Sequence, residues 1–360
     1  MIKKIAALLI SVFCVFSAFA SDVILDCNPL KIVLYEYTGT FSIYRKSQKT
    51  GKYVALIEPG NYSTTSGFYL KTDTTFRKLT RSAGIKIQVE ENETGAALLY
   101  EVDKDTTVKI QFSPLSSGYS AGTDSVKVDV LITNNSPVKR TYAAKAVFDT
   151  LLGENSGKHF YTSRQPVIDK EQGFLSMSSD KWIASSDGYD TIKFILNGSD
   201  ISVPLYTGVS NRDMLMSNVW LPTFTEGRLF DSVKTYNNSA VAVFWRDIEL
   251  AENTKGDFSF YITTASANKK AADLNNLDKN AIKKINEFYS DSDNYYTDSH
   301  GTKLTIGVLT QAQLDPEYIA ELLERIHTLE VNADGSNRDE ILKLNAELDA
   351  IMKKIGRPVN

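Results

Sequence analysis

From Val23 to about Ala265 the chain is a succession of short apolar runs, broken at close spacing by turn residues and never interrupted by a convincing 3.6-residue period. The runs are Lys31–Tyr37, Phe41–Arg45, Tyr53–Ile57, Phe68–Lys71, Ile85–Glu90, Ala96–Val102, Thr107–Phe112, Val126–Ile132, Tyr142–Leu152, Gly173–Ser176, Thr191–Leu196, Ala240–Arg246 and Asp257–Thr264. Val, Ile, Thr, Tyr and Phe crowd the runs; Asn, Gly, Asp, Ser and Pro crowd the joins. The clearest is Val126–Ile132, where Val126, Val128, Val130 and Ile132 alternate with Lys127, Asp129 and Leu131, the period of a strand with one buried face. Asn134-Asn135-Ser136-Pro137 then breaks the pattern. Many antiparallel strands without helical crossovers predict a mainly β fold, a large two-sheet antiparallel sandwich, over residues 21–266.

The pattern changes near Ala267. Residues 267–312 hold a segment with Leu274, Leu277, Ile282, Ile285 and Phe288 at helical spacing, then a polar stretch from Ser290 to Gly307 that reads as a linker. Residues 313–360 carry two amphipathic helices. Asp315-Pro316-Glu317 has the form of an N-cap, a first-turn proline and a first-turn acid. Ile319, Leu322, Leu323, Ile326 and Leu329 make one stripe; Ile341, Leu344, Leu348, Ile351 and Ile355 make the other, and a helical hairpin is expected.

Residues 1–20 have the parts of a secretory leader: Lys3 and Lys4, an apolar run from Ile5 to Phe16, and Ala18-Phe19-Ala20 before the cleavage point. That run is too short to span a bilayer, and the expectation is a periplasmic or secreted protein without a transmembrane segment. Loss of two lysines from 40 basic residues leaves 38 against 44 acidic ones, a balance that argues against nucleic acid as the partner. Of the two cysteines, Cys14 falls within the leader, so Cys27 is left without an internal partner.

Asp149, Glu154, His159 and Arg164 fall within sixteen residues at a predicted strand end, where they line a polar pocket or simply cap the loop. Asp149 with Asp187 or Glu154 is formally a carboxylate pair for glycoside chemistry. Trp182 and Trp220, with Tyr189 and Tyr206, are candidates for stacking on sugar rings, whereas Trp245 lies in an apolar run and reads as core. No phosphate loop, metal-ligand spacing or nucleophile motif is visible, so neither a cofactor nor a metal is expected.

The segment DTLLGENSGKHF, Trp182 in KWIASSDG, Trp220 in NVWLP and the strand SAVAVFWRDIEL, in this order, resemble exported bacterial β-supersandwich proteins, distantly like the galactose-mutarotase sandwich. The tail, YIAELLERIHTLE then EILKLNAELDAIMKKI, is similar to tails of spirochaete periplasmic proteins. The first resemblance implies carbohydrate handling, with two histidines and a carboxylate at an epimerase site; the chain has only His159, His300 and His327, of which His159 alone falls in the sandwich. Two functions therefore stand side by side. One is a non-catalytic envelope protein whose tail docks a protein through Ile319, Leu322, Leu323, Ile326, Leu344, Leu348 and Ile351, with periplasmic flagella or cell wall as the partners the tail resemblance implies. The other is a glycan-binding module or carbohydrate-active enzyme using the Asp149–Arg164 loop, Trp182, Asp187 and Trp220.

Overall fold

The computed structural model describes residues 22–117, 122–154, 158–225, 227–230, 238–266, 271, 273, 277–292, 295–297, 303–305, 316–331 and 337–354. The leader-like residues 1–20 and His300 lie outside them. The chain opens with β1 (Val23–Asp26), β2 (Leu30–Tyr35), β3 (Thr40–Lys46) and β4 (Tyr53–Ala55). It continues through β5 (Gly67–Thr72), β6 (Thr75–Lys78), β7 (Lys86–Asn92), β8 (Gly95–Asp103) and β9 (Thr106–Leu115). Then come β10 (Ser125–Asn134), β11 (Arg140–Asp149), β12 (Gln172–Leu175), β13 (Trp182–Ser186), β14 (Asp190–Ile195) and β15 (Tyr206–Asn211). After the short helix α1 (Arg212–Leu215) follow β16 (Ser239–Phe244), β17 (Ile248–Leu250) and β18 (Lys255–Ser266).

These strands build the expected sandwich of two large antiparallel sheets. One has the order β13-β14-β18-β10-β9-β8-β7 and the other β12-β15-β16-β11-β5-β6, with β17 also paired to β11; β1 to β4 form a smaller sheet. Strand β18, late in the chain, fills the middle of the first sheet, pairing β10 on one side and β14 on the other. Strands β1, β6, β13, β15 and β17 are short or rich in polar and small residues, and periodicity did not predict them.

The inward faces interdigitate. Val126, Val128, Val130 and Ile132 of β10 are buried, as their alternation predicts, opposite Tyr142, Ala144, Ala146 and Phe148 of β11. Phe148 sits at the centre, its ring 4.6 Å from Phe194, 5.8 Å from Phe260 and 6.2 Å from both Phe41 and Phe68. Truncating such a ring costs about 3–5 kcal/mol. Trp245 is core, with Nε1 donating to the Ser202 carbonyl at 2.7 Å. The turn after β10 is knotted by Asn134, whose Nδ2 donates to the Val138, Leu250 and Ala251 carbonyls and whose Oδ1 accepts from Ser136.

The other face of β10 is not solvated. Lys127 and Asp129 are 6% and 4% exposed and pair at 3.0 Å. Helix α2 (Lys279–Ser292) covers them: Asn286 Oδ1 accepts from Lys127, and Leu277 and Ile285 pack with Leu115, Ile195 and Tyr261. Within the stretch read as a linker, β19 (Tyr295–Thr297) pairs antiparallel with β20 (Lys303–Thr305). The tail is the expected hairpin of α3 (Pro316–Val331) and α4 (Arg338–Lys354). No helix among the described residues is long and apolar enough to cross a membrane.

Candidate functional site

The outer face of the β11 sheet holds an unusual side chain. Lys145, in the middle of an apolar strand, is fully buried; its Nζ donates to the Leu215 carbonyl at 3.0 Å and lies over the rings of Tyr69, Phe244 and Trp220 at 4.5, 5.4 and 5.8 Å. Burial pushes its ammonium down to about 8 from the ordinary 10.5. Lys78, donating to the Thr64 carbonyl, is held at about 8 by burial and then by the like charge of Lys145. Leu215, Met214 and Met216, with Trp220 and Phe224, fill the face around Tyr69 and Phe244. This cluster was not among the sequence candidates, though a charge inside the apolar run Tyr142–Leu152 could have signalled it.

At one end of that face two of the candidate residues, Glu154 and His159, meet on Ser239, with Asp149 beside them. Ser239, first in β16, gives its N–H to Glu154 Oε1 at 3.1 Å and its hydroxyl to contact with His159 Nδ1 at 2.9 Å. Next to it, Arg212 donates its N–H to the Asn238 carbonyl and its guanidinium lies 3.3 Å from Asp149 Oδ2. Burial pushes the Asp149 carboxyl up, against the pull of the Thr65 hydroxyl and Arg212. His159 is 6% exposed, its ring 4.9 Å from Phe230.

The remaining candidates stand elsewhere. Arg164 is exposed and its backbone N–H donates to Asp180 Oδ1. Asp187 caps a turn, accepting from the N–H groups of Tyr189 and Asp190, both at 2.8 Å. Trp220 packs edge-on to Phe76 and Phe244. Trp182 is half-buried under Lys193, 4.3 Å from its ring, and lines a cavity of about 340 Å³ with Ser163, Ser179, Lys181, Asn197 and Ser199. In the tail, Leu322, Ile326, Leu344 and Ile351 are buried in the hairpin's own core with Ile319 and Leu348 packed against it, while Leu323 is 49% exposed.

An open cleft of about 630 Å³ lies at the edge of the β11 sheet, lined by Val167–Gly173, Tyr206, Phe224 and Gly227. Gly173 in its lining pairs across β12 and β15 with Gly208. A methyl group at Gly173 would come 1.3 Å from Tyr206 Oη, and one at Gly208 would come 2.1 Å from Phe224 Cζ. The hydroxyl end of Tyr206 and the tip of the Phe224 ring therefore occupy space that side chains at these positions would fill, and the two rings pack on one another with centroids 5.2 Å apart and a tilt of 32°. Glu171 pins the loop that carries Phe224: it accepts from Arg228 Nε at 2.6 Å, Arg228 Nη2 at 2.8 Å, the Thr225 N–H at 3.0 Å and the Ser210 hydroxyl at 2.8 Å. Burial alone would raise the Glu171 carboxyl; Arg228, with these other donors, reverses the shift and holds it below the ordinary value. Tyr206 was a sequence candidate, but Phe224 and the glycines were not, because nothing local distinguishes a glycine under a ring from one in a turn.

No family model matches the chain, and no curated protein does. Solved structures do resemble it. A galactose mutarotase related enzyme from Lactobacillus acidophilus is 9% identical, with 70% of this chain and 100% of that chain covered and a TM-score of 0.42. A putative aldose 1-epimerase from Escherichia coli K12 is 11% identical, over 69% of this chain and 100% of that one, at 0.41. A polysaccharide lyase is 10% identical, over 72% and 35%, at 0.40. Likeness at this level assigns no activity.

Proposed function

We propose that this chain is an exported carbohydrate-binding sandwich that seats sugar rings on Tyr206 and Phe224. The observation that carries the reading is the pair of rings, Tyr206 and Phe224, that line the edge cleft and are seated over Gly173 and Gly208. An aromatic ring fixed in the wall of a cleft can pack on the C–H surface of a sugar, and the loss of side-chain freedom is already met before binding. Gln172, Lys170 and Asp169 stand beside the rings to bond hydroxyl groups. Binding without turnover is favoured because His159 is enclosed between Ser239 and Phe230, leaving the sandwich without an accessible histidine pair for ring-oxygen chemistry. The leader-like residues 1–20 support a periplasmic or secreted location.

Glycan-array screening followed by calorimetry tests the reading, with Phe224→Ala and Tyr206→Ala each weakening the sugar that binds by about tenfold or more. A protein that binds no glycan, or binds one equally well without both rings, would overturn it. The protein-docking role of the tail is a second reading, favoured by the exposure of Leu323 and Leu342. Envelope structures such as flagella or cell wall belong to it, and co-purification lost on deleting residues 313–360 would test it.

A further inference from the structure

Docking of α2 on the outer face of β10 brings an amine, a carboxylate and a carboxamide into one enclosed place, and their chemistry goes further than an ion pair. The Lys127 amine donates to Asn286 Oδ1 at 2.9 Å and lies 3.0 Å from Asp129 Oδ1. A carbonyl bond is about 1.23 Å long, so the Asn286 carboxamide carbon stands within about 4.1 Å of that amine. A shift of about 1 Å or less reaches the separation of about 3–3.5 Å from which a nucleophile attacks.

Lys127 and Asp129 are both buried, and Asn286 is half-buried above them. Tyr261, fully buried, stands directly across from Lys127 on β18, and with Leu115, Ile195, Leu277 and Ile285 it makes an apolar wall. An amine in such a place attacks only after it has given up a proton. Asp129 is placed to take it. Its Oδ1 accepts the Ser259 hydroxyl at 2.6 Å, whereas its buried Oδ2 accepts no hydrogen bond among the described residues. Burial pushes the Asp129 carboxyl up, against the pull of Lys127 and Ser259, which favours the neutral acid beside a neutral amine.

We propose that Lys127 and Asn286 close an autocatalytic isopeptide bond that joins β10 to α2, with Asp129 as the proton carrier. The Lys127 ammonium passes one proton to Asp129, and the neutral amine adds to the Asn286 carboxamide carbon, forming the new C–N bond. As the old C–N bond breaks, the second proton of the attacking nitrogen and the one held by Asp129 go to the departing NH2 group. One ammonium is consumed and one is released, Asp129 ends as a carboxylate, and no oxidant or cofactor enters. Newly folded chains therefore carry the ion pair and matured ones the amide. The link spans positions 159 apart in sequence, so it closes a loop that persists when the chain unfolds.

The test is mass spectrometry of the full-length protein after prolonged incubation at neutral pH. The mass is expected about 17 Da below that of the chain's own sequence, one ammonia, and a protease digest should yield the peptide carrying Lys127 joined to the one carrying Asn286. Lys127→Arg, Asp129→Asn and Asn286→Ala should each keep the full mass of their sequence and migrate on a denaturing gel unlike the closed wild type. Where the two buried variants fail to fold, Asn286→Ala, at a half-buried position of a helix that favours alanine, keeps the comparison open. A folded wild type that keeps its full mass, an ammonia loss mapped to a single peptide, or a linked pair that persists in Asn286→Ala overturns the proposal. A bond formed at the wild-type rate in Asp129→Asn overturns the role given to Asp129.

Discussion

Lys145→Met isolates the buried amine on the outer face of the β11 sheet. Methionine nearly preserves volume and removes the charge, at the expense of leaving the Leu215 carbonyl without its donor and the aromatic rings without their cation. Those losses do not depend on pH, whereas the amine's own contribution does. Its folded-state value of about 8 lies below the ordinary 10.5, so the unfolded chain binds the extra proton between them, and stability rises with pH across that window. Below pH 8 the protein carries the full penalty of an enclosed ammonium, roughly 3 kcal/mol at about 1.36 kcal/mol per pH unit. Between pH 7 and pH 9.5 about 2 kcal/mol of that penalty is relieved in the wild type and none of it in the variant. The assay is urea denaturation of both proteins at several pH values in this range, below the titration of the buried tyrosines. The wild type should gain on the variant by about 2 kcal/mol as pH rises, whichever is the more stable at pH 7. A difference constant to within about 0.5 kcal/mol would refute the enclosed-amine account, because an amine with an ordinary value stays protonated in both states.

Gly173→Ala forces the Tyr206 ring off the backbone, so it should lower the melting temperature by several degrees, as overpacking of about 1–3 kcal/mol does, and abolish glycan binding measured by calorimetry. Asp129→Ala strands the Lys127 ammonium under α2 and should cost about 3–5 kcal/mol in denaturant titration, whereas replacing both residues with apolar ones should restore most of it. Trp245→Phe removes the bond to the Ser202 carbonyl along with part of a core ring, for about 2–4 kcal/mol by the same method. Deletion of residues 313–360 should leave the calorimetric melting of the sandwich within a few degrees, since Leu322, Ile326, Leu344 and Ile351 pack on one another; a truncated chain that fails to fold contradicts this.

The alternation in β10 and the density of turn residues were enough to read the sandwich, because a strand's side chains take opposite sides whatever covers them. What covers them was harder to read. Lys127 and Asp129 have the look of a solvated face, and only the helix packed over them makes them interior, a relation between residues more than 150 positions apart. Glu154 and His159 were close in sequence and do meet, yet they meet on Ser239, which no spacing pointed to, while Asp149 turns to Arg212 beside them. Lys145 breaks the apolar run Tyr142–Leu152, a signal passed over in the sequence analysis. The edge cleft was the least legible part: its aromatic platform depends on the absence of two side chains, and an absence gains meaning only when β12 and β15 are laid side by side.

The position of β18 bears on how the molecule is made as well as on how it stands. Six strands of the sheet wait on residues 255–266, since until these emerge from the ribosome β10 and β14 each present an unpaired edge and the sheet is two fragments. With Ser125 facing Thr263 across the seam, the pairing is among the most distant in the chain, so it closes late. A chain stalled or clipped before residue 255 is therefore a pair of sticky half-sheets, prone to pairing with other copies, and a holding chaperone would have most to do in that interval of synthesis.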